Sequence, residues 1–185
     1  MNLYDIIAQA FGIIAMAFNI WSYQMKTSKT VIFCQMFGGI FFSINFFMLG
    51  ATVGGILNAI AAFRAIIYIY KEKTHADHLA WLIFFECLFV ASYILTFTVF
   101  GKQPTTFNMI IELLPVIGMT ATTISFRLRG AKAIRLFGLI SSPSWLIYNI
   151  VNLAIGAIIC EVLSLCSIVI GILRYDLKAK KGNQV

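Results

Sequence analysis

The sequence predicts an all-α membrane protein of seven transmembrane helices, laid out as two three-helix repeats of the same orientation joined by one connecting helix. Three observations predict it: apolar content far above that of a soluble domain, seven apolar runs of spanning length, and basic residues confined to alternate connections. Of 185 residues, 61% are hydrophobic and only 11% charged, with a mean hydropathy of +0.91, whereas roughly a quarter of the residues of a soluble domain are charged. Three Pro, four scattered Cys and 15% aromatic residues exclude the collagen-like, disulfide-knotted and disordered classes.

In order, the runs are Tyr4–Tyr23, Val31–Leu49, Val53–Tyr70, Leu79–Phe100, Thr106–Phe126, Ile134–Ala154 and Gly156–Arg174, each near the ~20 residues that cross a bilayer. Ala8-Gln9-Ala10 resembles a signal-peptidase site but lies ahead of the main apolar stretch, no Lys or Arg precedes it, and Asp5 is acidic. The first run therefore reads as a retained helix. The second and third runs meet at Gly50-Ala51-Thr52 and the sixth and seventh at Ile155-Gly156, which predicts two tight hairpins reversing at small residues.

Charge fixes the expected orientation. The first connection holds Lys26 and Lys29, the third Lys71 and Lys73, the fifth Arg127, Arg129, Lys132 and Arg135, and the C-terminal end Arg174, Lys178, Lys180 and Lys181. Against these, the even connections hold Lys102 alone, and Arg64 lies inside a run. Cytoplasmic flanks collect Lys and Arg, so the N-terminus is expected outside and the C-terminus in the cytoplasm. The net charge of +7 is then a topology signal with weak attraction to anionic lipid, not a nucleic-acid footprint.

An offset of 103 residues aligns Ile14 with Ile117, Met16 with Met119, Ser22 with Ser125, Tyr23 with Phe126, Lys26 with Arg129 and Lys29 with Lys132. Runs one to three fall onto runs five to seven, and the odd fourth helix restores the direction of the second triplet. The expected division is a first repeat over 1–73, a linker helix within 74–104, a second repeat over 105–177 and a basic cytoplasmic tail over 178–185. Such parallel repeats form a solute site between their halves near mid-membrane. The alternative is chance similarity between apolar helices.

The segments Phe46–Gly50 (FFMLG), Ile56–Ile60 (ILNAI), Glu112–Gly118 (ELLPVIG) and Gly156–Tyr175 with its lone Glu161 resemble the YgjV-type bacterial inner-membrane proteins over nearly the whole chain. That family is similar to the MtN3/PQ-loop group, which includes the SWEET sugar facilitators and the nicotinamide-riboside carriers. The resemblance implies a SWEET-like fold and a carrier role in the bacterial inner membrane, and it implies no substrate. In the SWEET-like pattern a Trp on the sixth helix is followed by an Asn on the seventh; here Trp145 and Glu161 hold those places, sixteen residues apart, and Phe42 and Asn58 repeat the spacing in the first half. Glu for Asn and Phe for Trp depart from the pattern, and the Pro-Gln dipeptide at the end of the first helix is missing from Trp21-Ser22-Tyr23-Gln24.

An ionisable group inside a span normally faces a cavity or a partner. Arg64 and Glu86 lie at similar depth, roughly 9–10 Å from the cytoplasmic ends of their helices, and are expected to form a structural ion pair. Asn58, Glu112 and Glu161 share a layer roughly 7–10 Å from the outer ends. Two carboxylates at one depth in a low dielectric cannot both stay charged without a compensating cation, which suits proton coupling or a cationic or hydroxyl-rich ligand. The alternatives are that Glu112 caps backbone loosened near Pro115 and that Glu161 bonds Ser164 or a neighbouring helix. Trp145 sits mid-span, unlike Trp21 and Trp81 in the interfacial belt, and with Asn149 one turn on it offers a stacking plate and an amide. Asn45, near the repeat counterpart of Asn149, reads either as a ligand group or as interhelical glue.

The candidate solute site is thus Asn45, Asn58, Glu112, Trp145, Asn149 and Glu161. His75, Asp77 and His78 form no metal-ligand set with any Cys, and no catalytic triad, phosphate loop or zinc motif occurs, so neither an enzyme nor a cofactor is expected. The expected partners are a small-molecule solute and the lipid bilayer, with no nucleic acid; a homo-oligomer is compatible with the sequence. A non-transporting receptor or assembly protein on the same fold is the alternative function.

Overall fold

Helices begin where a short polar side chain can take over an unpaired backbone N–H, and they stop where one closes the last carbonyls. The structure, a computed structural model, describes residues 3–49, 52–128, 130–152 and 155–177. Its helices are α1 (Leu3–Ser22), α2 (Ser28–Met48), α3 (Thr52–Ile69), the short α4 (Lys71–Thr74), α5 (Leu79–Thr98), α6 (Thr106–Arg127), α7 (Ala131–Val151) and α8 (Ile155–Gly171), which runs into a π-helical turn at Ile172–Leu177. No strand occurs among the described residues. Thr27 Oγ1 accepts the Thr30 N–H at 3.3 Å and Thr105 Oγ1 the Asn108 N–H at 3.2 Å, the N-cap bond that opens α2 and α6.

Two boundaries differ from the sequence expectation. The third connection contains α4, because the Tyr70 carbonyl accepts the Lys73 and Thr74 N–H groups at 2.8 and 3.0 Å and His75, at φ 50°, closes the turn. The sixth run ends at Val151 rather than Ala154, since the Asn152 backbone N–H and its Nδ2 both donate to the Tyr148 carbonyl, at 3.1 and 2.8 Å. Leu153 and Ala154 lie outside the described residues, and α8 begins at Ile155. Gly50 and Ala51, and likewise Arg129, Lys178, Lys180 and Lys181, lie outside the described residues.

Among the described residues, five helical stretches are long and apolar enough to cross a membrane: α2, α5, α6, α7 and Gly156–Tyr175. The apolar parts of α1 and α3, Ile6–Ser22 and Gly54–Ile69, are shorter, about 25 Å at 1.5 Å per residue.

α2 packs between α1 and α3, and α7 packs between α6 and α8. These two triplets meet along two seams, α1 with α8 and α3 with α6, and α2 touches α7 between them. α5 lies outside, against α6 and α3. Among apolar helices in lipid, van der Waals packing and interhelical hydrogen bonds hold the bundle rather than exclusion of water. One buried cluster joins Leu57, Tyr68, Phe85, Phe89, Met119 and Phe126 across α3, α5 and α6, and another joins Ala15, Phe42, Phe46, Ala157 and Cys160 across α1, α2 and α8. Close approach needs missing side chains: a Cβ on Gly39 would lie 3.3 Å from the Asn58 carbonyl, and one on Gly118 2.9 Å from the Trp145 ring. All four cysteines are free.

Candidate functional site

The faces that α1–α3 and α6–α8 turn toward each other are not sealed. Between them is a cavity of about 110 Å³ lined by eighteen residues from these six helices and the end of α1. Its lining repeats itself at an interval of 103 residues: Asn19 with Thr122, Gly39 with Ser142, Phe42 with Trp145, Phe46 with Asn149, Asn58 with Glu161 and Ala61 with Ser164. Twelve of the eighteen lining residues fall into these six pairs, so each triplet presents corresponding positions to a shared space.

Four of the six residues singled out from sequence line this cavity: Asn58, Trp145, Asn149 and Glu161. Asn58 Nδ2 donates to the Gly54 carbonyl one turn back, at 2.9 Å, which commits one of its two amide protons. Asn149 is 2% exposed and its Oδ1 has no hydrogen-bond partner. Trp145 stands edge-on to Tyr148, with ring centres 5.8 Å apart. Ser142 of α7 is the polar neighbour of both the Glu161 carboxylate and the Tyr23 hydroxyl, and all three line the cavity. Among the described residues no basic side chain forms an ion pair with Glu161, whereas Lys71 pairs with Asp77 and Lys102 with Glu112.

The other two belong elsewhere. Asn45 turns toward α1, where its Nδ2 donates to the Ala8 carbonyl at 2.7 Å, and its role is to hold α2 to α1. Glu112, 4% exposed, pairs with Lys102 from the α5–α6 connection and has the Tyr148 hydroxyl as a neighbour. A shared depth with Glu161 did not bring it to the same space, because its side chain leaves α6 at a different angle around the helix axis. Nor does Glu112 cap backbone freed by Pro115: among the described hydrogen bonds it accepts from Lys102 and from no backbone N–H.

The expected Arg64–Glu86 ion pair is also corrected. Arg64 Nη1 donates to the Met119 carbonyl at 2.9 Å and to Thr123 Oγ1 at 2.6 Å, and its guanidinium lies over the Phe126 and Phe89 rings at 5.0 and 5.8 Å. Glu86 instead accepts from Thr120 Oγ1 at 2.6 Å. Each charge therefore finds α6 first, Arg64 from α3 and Glu86 from α5. Arg64 is 3% exposed and contributes to the cavity wall, with its cationic end engaged in the α3–α6 seam.

Several lining residues escaped the sequence reading: Asn19, Tyr23, Gln35, Thr122, Ser141 and Ser142. The 103-residue offset itself was the missed signal, since it carries Asn19 to Thr122 and Gly39 to Ser142. A second grouping on the connection side was also missed. Lys71 Nζ pairs with Asp77 at 2.7 Å and donates to the Phe126 and Arg127 carbonyls, while Arg127 Nε donates to the Asp77 carbonyl at 2.9 Å. A cation on the last carbonyls of α6 is favoured by the helix dipole.

Membrane-length helices closed around a polar, two-sided cavity define a multi-pass helical membrane protein. A family model of bacterial inner membrane proteins, Imp-YgjV, matches residues 6–179, and the chain belongs to that family. No curated protein and no solved structure matches the chain.

Proposed function

We propose that this protein is a carrier or facilitator of a small solute, built from two parallel three-helix repeats around α5 in a SWEET-like manner, without enzymatic chemistry. The single observation that carries the reading is the six-pair repeat of the cavity lining. A cavity at the meeting of two corresponding faces can be opened to one side or the other by rocking the halves, which is how parallel-repeat carriers alternate access. The pattern of packing supports the same plan: the 103-residue offset exchanges the α1–α8 seam with the α3–α6 seam and carries α2–α7 onto itself.

In this reading all seven long helices cross the membrane, with the N-terminus outside. The short apolar lengths of α1 and α3 are accommodated by local thinning of the bilayer and by flanking side chains, at fractions of a kcal/mol per Å. Asn58, Trp145, Asn149 and Glu161 contact the solute, and Asn45 and Glu112 support them by holding helices. The test is flux in proteoliposomes. Solute uptake by the wild type should fall at least tenfold in Glu161→Gln and in Asn149→Ala. Protein that is folded and ligand-binding but moves nothing would assign the fold to a receptor or assembly role. Cysteine labelling that finds both chain ends in one compartment would remove the seven-crossing plan.

A further inference from the structure

We infer that the cavity selects a small primary ammonium compound, of the size and polarity of an alkanolamine; this rests on the reading of the cavity as a solute site. The argument begins with charge. Glu161 lines the cavity beside Ser142, with no ion-pair partner among the described residues. The second carboxylate that the sequence put at the same level, Glu112, has its own cation in Lys102. Among the described residues Glu161 is thus the one acidic group on the cavity wall, and the basic group there, Arg64, has its guanidinium turned into the α3–α6 seam, against Met119, Thr123 and two phenyl rings. An uncompensated carboxylate in a low dielectric is stabilised most by a cation delivered with the ligand.

Hydrogen-bonding capacity points the same way. One Asn58 amide proton goes to Gly54, Thr122 Oγ1 is engaged with Gly118 O and Ser141 Oγ, and Asn149 Oδ1, buried and unpartnered, lines the wall. The Glu161 carboxylate and Asn149 Oδ1 are acceptors that a ligand rich in donors satisfies, as R–NH3+ does with three, while the one unpartnered buried donor among the lining residues described is Arg64 Nε. The aromatic walls Phe42, Phe46 and Trp145 favour a cation over an anion through their ring faces. Size is set by the ~110 Å³ volume: scaled from a cavity of ~150 Å³ that holds benzene, it takes about four or five non-hydrogen atoms.

Ethanolamine and 1-propanol make the test, since they share shape and hydroxyl and differ in charge and N–H donors. Ethanolamine should raise the thermal midpoint of the purified protein by several degrees at saturation, 1-propanol should not, and Glu161→Gln should abolish the rise. Exchanging the carboxylate between halves, in Asn58→Glu combined with Glu161→Asn, should restore it. Equal responses to the two compounds would overturn the inference. So would a response to β-alanine as large as that to ethanolamine, which would assign the site to zwitterions with Arg64 taking part. Ethanolamine binding without flux would leave this site standing and remove the carrier reading. Glu161-dependent flux of a neutral solute, with ethanolamine silent, would do the reverse.

Discussion

The two triplets share a plan and differ in where they place charge. Position for position at the 103-residue interval, Asn58 faces Glu161 across the cavity, Gln9 of α1 corresponds to Glu112 of α6, and Arg64 of α3 corresponds to Ser167 of α8. Glu161, Glu112 and Arg64 each have an uncharged counterpart in the other half. Gln9 is exposed and needs no partner within the bundle, whereas buried Glu112 has Lys102. At the seams, Arg64 reaches α6 through two strong hydrogen bonds, while Ser167 makes a 3.5 Å contact to the Ile20 carbonyl and accepts from Gln24 Nε2 at 2.6 Å. The shared features set the shape of the cavity, and the unshared ones decide its polarity and which seam is held harder.

Four substitutions would break or sharpen that comparison. The largest effect is expected from Lys102→Met, which leaves the buried Glu112 uncompensated: a loss of about 3 kcal/mol, read as a lowered thermal midpoint in detergent and largely recovered in the double variant with Glu112→Gln. Next is Arg64→Met, which removes the donor to the buried Thr123 hydroxyl and one of two side-chain donors to the Met119 carbonyl and should cost about 2 kcal/mol. Gly118→Ala drives a methyl into the Trp145 ring and should cost about 1–2 kcal/mol while reducing flux more than stability alone accounts for; Ala15, the corresponding residue of α1, already carries that methyl. The smallest is Ser167→Ala, at about 0.5–1 kcal/mol. If Ser167→Ala proved as damaging as Arg64→Met, the two seams would be equally held and the asymmetry drawn here would be wrong.

Length and polarity made the long helices legible, because a run of apolar residues bounded by Thr, Asn or Gly can only be a span in this composition. The short α4 was illegible: Lys71-Glu72-Lys73-Thr74 has no apolar face, and it forms because the chain must turn after Tyr70. For the site, a run reports how deep a side chain lies but not which way around the helix it points. That is why Asn58 and Glu161 reached the cavity while Asn45 and Glu112, at plausible depths, turned to α1 and to Lys102. Arg64 and Glu86 were misjudged for the same reason, each being claimed by α6 before it could meet the other. The spacing of Phe42 to Asn58 and of Trp145 to Glu161 carried azimuth as well as depth, since two residues recurring at one interval in both halves must recur on one face.

The clasp made by Lys71, Asp77 and Arg127 has a mechanical consequence. By fastening the foot of α3 to the foot of α6 through the residues just before α5, it ties together helices of different triplets. In a rocking motion of the two triplets that strap is the natural pivot, and the edge without it is the opposite one, where α1 packs on α8 and Ser167 meets Gln24, just past α1, and the Ile20 carbonyl. If the protein works as the proposed carrier, spin labels across the strapped edge should keep one separation with and without solute, and labels across the other should report two.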